Sequence, residues 1–188
     1  MNTTIIYTHP WAGSFNRAIL DAVQEVFLDQ KRDATLIDLY KDGFNPVMFA
    51  DELALYAEGN YGDPKIGEYI NVLSQTDEMV FIFPIWWYGG PAMLHGFFDK
   101  VMLIHSAYAE GMVPIWDVGR TTVITTSEAS TAALREEFGN PIEKSFVGGT
   151  LRSVGMTPAT WLNFGEIGLS DEQHRNDFLQ QVRQHFQK

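Results

Sequence analysis

The run Met79-Val80-Phe81-Ile82-Phe83 contains no polar residue, and an unbroken apolar run of this length reads as a strand buried on both faces, the kind found in the middle of a parallel sheet. A chain built around such a strand needs helices on both sides of the sheet to cover it. The run stops at Pro84, after which Ile85-Trp86-Trp87-Tyr88 places three large aromatics in a loop. Gly89-Gly90-Pro91 then breaks the chain before a helix carrying Leu94, Phe97, Phe98 and Val101. An aromatic loop at the carboxyl end of a buried strand is where an open α/β sheet keeps its ligand.

The rest of the chain repeats the alternation. Thr3 to Thr8 reads as a strand, and Phe15, Ile19, Val23, Val26 and Phe27 recur at helical spacing to about Gln30. Ala34 to Leu39 is a second strand. Residues 42 to 63, interrupted by Gly43, Pro46, Gly59 and Gly62, read as a long functional loop with a short helix around Glu52 to Tyr56. Pro64 opens a helix to about Gln75, and the central strand and its helix follow. Thr121 to Thr126 and Ala159 to Phe164 are strands, with helices expected over Thr131 to Phe138, Ile142 to Val154 and Asp171 to Phe186. Five strand–helix units without a Gly-x-Gly-x-x-Gly fingerprint point away from the dinucleotide-binding arrangement. They point to an α/β, doubly wound five-stranded parallel sheet in the flavodoxin-like order 2-1-3-4-5, residues 1–188 forming one domain. In that order the ligand lies between strands 1 and 3, where the loops are His9 to Asn16 and Pro84 to Gly90, with Thr125 to Ala129 beside them.

The first loop leads a small-residue turn, a hydroxyl, an amide and an imidazole into a helix N-terminus. Unpaired N–H groups and a partial positive charge there suit a phosphate; Ser14 and Asn16 also suit a plain helix cap, and His9 a packed histidine. The formal net charge of −11 argues against nucleic-acid or membrane-surface binding. The absence of cysteine removes disulfides, thiolate metal sites and a cysteine nucleophile, and the five scattered histidines suggest no metal site. The amino terminus lacks a basic stretch ahead of an apolar one, and no apolar run reaches membrane-spanning length. A cytoplasmic protein without membrane insertion is expected.

The segments His9-Pro10-x-x-x-Ser14-Phe15-Asn16, Phe83 to Leu94 and Phe97-Phe98-Asp99-Lys100-Val101, in this order and spacing, resemble the NAD(P)H:quinone oxidoreductases of the DT-diaphorase type, whose small bacterial members include general NAD(P)H oxidoreductases and ancillary flavoproteins of potassium-efflux systems. The resemblance runs from Ile5 to about Phe164. It implies that His9, Ser14, Phe15 and Asn16 hold a flavin phosphate, that Pro84, Ile85, Trp86, Trp87 and Tyr88 frame the flavin ring, and that Thr125, Thr126, Ser127 and Glu128 contact its pyrimidine side. Tyr108 belongs to the implied substrate pocket and Tyr56 to its rim. The implied cofactor is FMN, or FAD, with FMN favoured because the chain stops soon after its fifth strand and helix, and NAD(P)H is the electron donor. The implied activity is two-electron, ping-pong reduction of a quinone or similar flat acceptor.

Two departures accompany the resemblance. Ser127-Glu128 stands where the family has two glycines, and Ala129 to Gly139 lacks the Tyr and His that larger members place there. The alternative reading is a non-catalytic flavoprotein, either an electron carrier or a regulatory subunit of a potassium-efflux transporter. A homodimer is expected, partly from the family and partly because Trp86, Trp87, Tyr88, Phe97 and Phe98 are many large rings for one loop and helix to bury.

Overall fold

A computed structural model describes residues 1–187. Its main sheet contains β1 (Thr3–Tyr7), β2 (Ala34–Asp38), β3 (Glu78–Pro84), β6 (Arg120–Thr126) and β7 (Ala159–Phe164), all parallel, in the order β2-β1-β3-β6-β7. Counting only these strands, this is the expected order 2-1-3-4-5. The intervening helices are α1 (Phe15–Asp29), α2 (Ala50–Tyr56), α3 (Pro64–Leu73), α4 (Ala92–Val101), α5 (Thr131–Glu136) and α6 (Glu172–Phe186). No helix among the described residues is long and apolar enough to cross a membrane.

The two-residue period of the strands divides the core into two layers. Ile5, Val80, Ile82 and Ile124 point to one face, where α1 and α6 supply Ile19, Val23, Phe27, Phe178 and Val182. Ile6, Phe81, Phe83 and Val123 point to the other and meet Tyr69, Leu73, Leu94, Phe97 and Phe98 from α3 and α4. Burial of β3 on both faces explains its unbroken apolar sequence: all seven of its residues are buried. Pro84 does not end the strand before itself. It is the last paired residue, opposite Thr126, because a strand end tolerates a missing N–H.

Other differences have local causes. Phe97 and Phe98 fill the core of a single chain, packed among Phe44, Tyr69, Phe81 and Phe146, so of the rings offered as evidence for a subunit interface only Trp86, Trp87 and Tyr88 remain exposed. The helix expected over Ile142 to Val154 is a ten-residue π-helix over Ile142–Leu151, an uncommon form that recurs at functional sites. Tyr108 lies in a small antiparallel hairpin, β4 (Tyr108–Ala109) with β5 (Val113–Pro114), too short for a periodic signal.

The long segment after β2 is strapped onto α4. Lys100, almost fully buried, places Nζ 2.7 Å from Glu52 Oε1 and donates to the carbonyls of Asn45 (3.1 Å) and Val47 (3.3 Å). Gly96 lets the strap lie close, since a Cβ there would fall 2.2 Å from the Pro46 carbonyl oxygen. The buried ammonium is thus partnered on several sides, as a buried charge requires.

Candidate active site

At the carboxyl ends of β1, β3 and β6 the three expected loops converge on one cleft. Its inner part, about 210 Å³, is bounded by His9, Ser14, Asn16, Pro84 and Thr126, with Ile167 from the turn after β7 closing the outer side. A contiguous part of about 450 Å³ lies between Trp86, Trp87 and Tyr88 and the turn Ser127-Glu128-Ala129. Ile85, Trp86, Ser127 and Glu128 line both.

Each wall has a local origin. Ser14 caps α1, its Oγ accepting the Arg17 N–H at 3.2 Å, which leaves the N–H groups of Phe15 and Asn16 without a protein acceptor among the described residues. His9 Nδ1 accepts the Trp11 N–H at 3.1 Å; a ring nitrogen that accepts carries no hydrogen, so neutral His9 presents an Nε2–H donor. Burial holds its pKa below the ordinary histidine value. The ring lies edge-on to Trp86, centroids 6.1 Å apart.

The aromatic loop is a two-residue turn. Trp86 and Gly89 exchange backbone hydrogen bonds of 2.9 and 3.1 Å, and Trp87 and Tyr88 between them have φ of 51° and 63°. Positive φ at both central positions belongs to Gly and Asn in ordinary hairpin turns. Holding two aromatics there costs on the order of 1 kcal/mol or more each. The turn is left largely open: Trp87 is 96% exposed, while Tyr88 leans on Phe138 with ring centroids 4.6 Å apart.

Asn16, only 2% exposed, donates from Nδ2 to Thr126 Oγ1 at 2.9 Å, and its Oδ1 is buried without a partner. An orphaned acceptor on a residue that lines a cleft points to a ligand's donor. A phosphorylated flat ring with a hydroxylated linker, which is what FMN is, fits this set: helix N–H groups for the phosphate, Asn16 Oδ1 for a hydroxyl, and aromatic walls for the ring.

Thr125 and Thr126 part company because neighbours on a strand face opposite ways. Thr126 faces Asn16 and the cleft. Thr125 is fully buried on the other face, accepting from Trp161 Nε1 at 2.8 Å and donating to Asn163 Oδ1 at 2.7 Å. Asn163 Nδ2 in turn donates to Ser127 Oγ (2.9 Å) and Thr131 Oγ1 (3.0 Å), and Ser127 Oγ donates to the Ala129 carbonyl (2.7 Å). Trp161 and Asn163, which carry no motif, therefore set the shape of the turn that the cleft uses. Glu128 extends outward from that turn, its Oε2 2.8 Å from where a Cβ on Gly168 would sit.

Tyr56 and Tyr108 come together elsewhere. Their hydroxyls are 3.2 Å apart, and both line a cavity of about 520 Å³ between α4, the hairpin and the π-helix. It shares no lining residue with the cleft. The two approach each other at the aromatic turn, where His95 Nε2 on the cavity side lies 3.5 Å from the position of a Cβ on Gly89. Desolvation, then the hydrogen bond to Tyr108, pushes the Tyr56 pKa up to about 12, so its hydroxyl keeps its proton across the neutral range.

A family model described as flavodoxin-like fold matches residues 1–187. An uncharacterised NAD(P)H oxidoreductase of Escherichia coli is 34% identical over 108 residues, 57% of this chain and 55% of that protein. One from Haemophilus influenzae is 28% identical over 98% of this chain and 93% of its own. This chain thus spans about half the length of the E. coli relative. Among solved structures, the NAD(P)H:quinone oxidoreductase of Methanothermobacter marburgensis superposes with a TM-score of 0.89 at 24% identity, covering 99% of this chain and 95% of its own. A Bacillus anthracis FMN-dependent NADH-azoreductase in complex with FMN superposes at 0.79 with 15% identity, covering 100% and 98%. At these identities the two structures speak for the fold.

Proposed function

The chain belongs to the flavodoxin-like fold family, and from that membership together with its cleft we propose that it is a flavin-dependent NAD(P)H oxidoreductase that binds FMN and reduces quinones or similar flat acceptors. The observation that carries the reading is the buried, unpartnered Oδ1 of Asn16, a residue lining the cleft between a free helix N-terminus and an aromatic turn. Relatives named as NAD(P)H oxidoreductases support it, as does a neighbour named as a quinone oxidoreductase.

In this reading the N–H groups of Phe15 and Asn16, with His9 Nε2–H, hold the phosphate, and among the described residues no lysine or arginine lines that end of the cleft. Helix and loop dipoles suffice for such an anion. Trp86 and Tyr88 bound the ring compartment and exclude water from it. The bound flavin supplies two-electron hydride chemistry that no side chain of this protein offers. Overall, NAD(P)H gives up a hydride and becomes NAD(P)+, and the quinone gains that hydride and one proton from solvent to become the hydroquinone. Tyr56 and Tyr108 form the acceptor pocket: one phenol of the pair donates to the other, which leaves one O–H for an acceptor carbonyl.

A homodimer belongs to the same proposal. The exposed Trp87-Tyr88 turn needs a cover, and a second copy there would bring the tyrosine cavity and the cleft into one site. Gel filtration giving a monomer at working concentration would contradict this part.

The activity is tested by anaerobic titration of the flavin-loaded protein. Bleaching of the visible band by NAD(P)H and its return with one equivalent of menadione are expected. A yellow protein that NAD(P)H does not bleach would instead indicate a carrier or a regulatory subunit.

A further inference from the structure

The cavity holding Tyr56 and Tyr108 has a one-sided polarity. Among the described residues its polar lining consists of hydroxyls, including those of Ser145, Thr150 and Ser153 on the π-helix side, the His95 ring and a single carboxylate, that of Asp99, with no lysine or arginine facing it. The nearest cation in sequence, Lys100, points elsewhere, because successive residues on a helix diverge by about 100°. Its ammonium is consumed by Glu52 and two carbonyls under the strap. Asp99 therefore has no counter-charge in the cavity, and its field reaches the Tyr56 hydroxyl. The formal charge of −11 on the whole chain adds to the same sign.

Resting on the acceptor-pocket reading above, we infer that this cavity selects flat acceptors that are neutral or cationic and disfavours those carrying a sulfonate or carboxylate. The hydroxyls offer hydrogen bonds to a carbonyl oxygen without asking for charge. An anionic substituent would find no ammonium or guanidinium to repay its lost hydration, and would lie close to Asp99. A cationic substituent would gain from the same carboxylate. Asp99 is thus a specificity-determining residue, acting through its charge.

The test compares 1,2-naphthoquinone with 1,2-naphthoquinone-4-sulfonate in the flavin-loaded wild type and in Asp99→Asn. The readout is the ratio of kcat/KM for the sulfonate to that for the neutral quinone; dividing the variant's ratio by the wild type's cancels the intrinsic reactivity of the two compounds. We expect Asp99→Asn to raise the ratio about tenfold at low ionic strength, with the gain shrinking in 0.5 M salt as the Debye length falls. Ser153→Lys, which adds the missing cation on the opposite wall, raises it in the same direction. Equilibrium dialysis of 2-naphthol against 2-naphthalenesulfonate should reproduce the trend without turnover. An unchanged ratio in both variants would overturn the inference while leaving the oxidoreductase reading intact. Failure of both quinones to restore the colour of a protein that NAD(P)H bleaches would remove the acceptor pocket itself, and this inference with it.

Discussion

The two ends of the seven-residue strand β3 are built on opposite principles. At its start, Glu78 is fully buried, yet each carboxylate oxygen is met by a guanidinium, Arg32 on one side and Arg120 on the other, and Thr3 Oγ1 adds a hydrogen bond of 3.1 Å. At its end, Pro84 gives way to a turn with two aromatics at positive φ, and the neighbouring Asn16 Oδ1 is buried with no partner. Both ends bury polar groups. The first pairs its buried charges within the chain and stabilises the sheet; the second combines a strained turn with an unmet acceptor on a residue that lines a cleft, and it is this combination that marks a binding site.

Glu78→Ala should give the largest effect on the closed end. It leaves two guanidiniums against an apolar floor, and because both arginines are partly solvated the expected loss is about 3 kcal/mol, at the low end of what breaking a buried pair costs. Urea unfolding measures it, and the affinity for FMN in the folded protein should stay within twofold. A comparable loss of flavin affinity would erase the distinction between the ends. Asn16→Leu probes the open end: FMN affinity falls at least tenfold by fluorescence titration, while the stability of the flavin-free protein changes by no more than about 1 kcal/mol. The lost bond to Thr126 is offset there by removal of the orphaned acceptor. Stability falling by 3 kcal/mol or more would mean that Asn16 is structural.

Trp87→Gly separates strain from function. Glycine accepts positive φ freely, so the flavin-free protein should gain on the order of 0.5 kcal/mol, diminished by the extra freedom of the unfolded chain. The flavin-loaded protein should meanwhile lose affinity. A clear destabilisation would show that the turn is not strained. The smallest effect concerns pH. With its pKa raised to about 12 against an ordinary 10.0, Tyr56 stabilises the fold fully below pH 10, and that contribution is lost as pH rises from 10 through 12, where the unfolded chain has already released its proton. Between pH 7 and 9.5 the KM for a neutral quinone should therefore be flat in Tyr56, and its pH profile should match that of Tyr56→Phe. A break near pH 8 present only in the wild type would contradict the assignment.

What the sequence revealed follows the same division. The closed sheet was legible, because burial on both faces writes an unbroken apolar run and burial on one side of a helix writes a 3.6 period. The converging loops His9 to Asn16 and Pro84 to Tyr88 were legible through their breakers and aromatics. Thr125 shares a motif with Thr126, yet strand alternation turns it to the opposite face. Trp161 and Asn163 left no signal, since they act from another strand through hydrogen bonds that no local pattern encodes. The π-helix left none either: its i→i+5 bonding shifts the periodicity, and Gly148-Gly149 read as an interruption. Phe97 and Phe98 read as interface rings because the sequence does not show how far Phe44, Tyr69 and Phe146 reach across α4.

The most direct test of the account is the flavin itself. Protein purified from cells, or reconstituted with excess flavin and desalted, is denatured and the released chromophore identified by mass and counted against the chain. The account predicts FMN at close to one per chain, and far less from Asn16→Leu treated identically. Protein that retains no flavin, or that retains it equally well without Asn16, would contradict it.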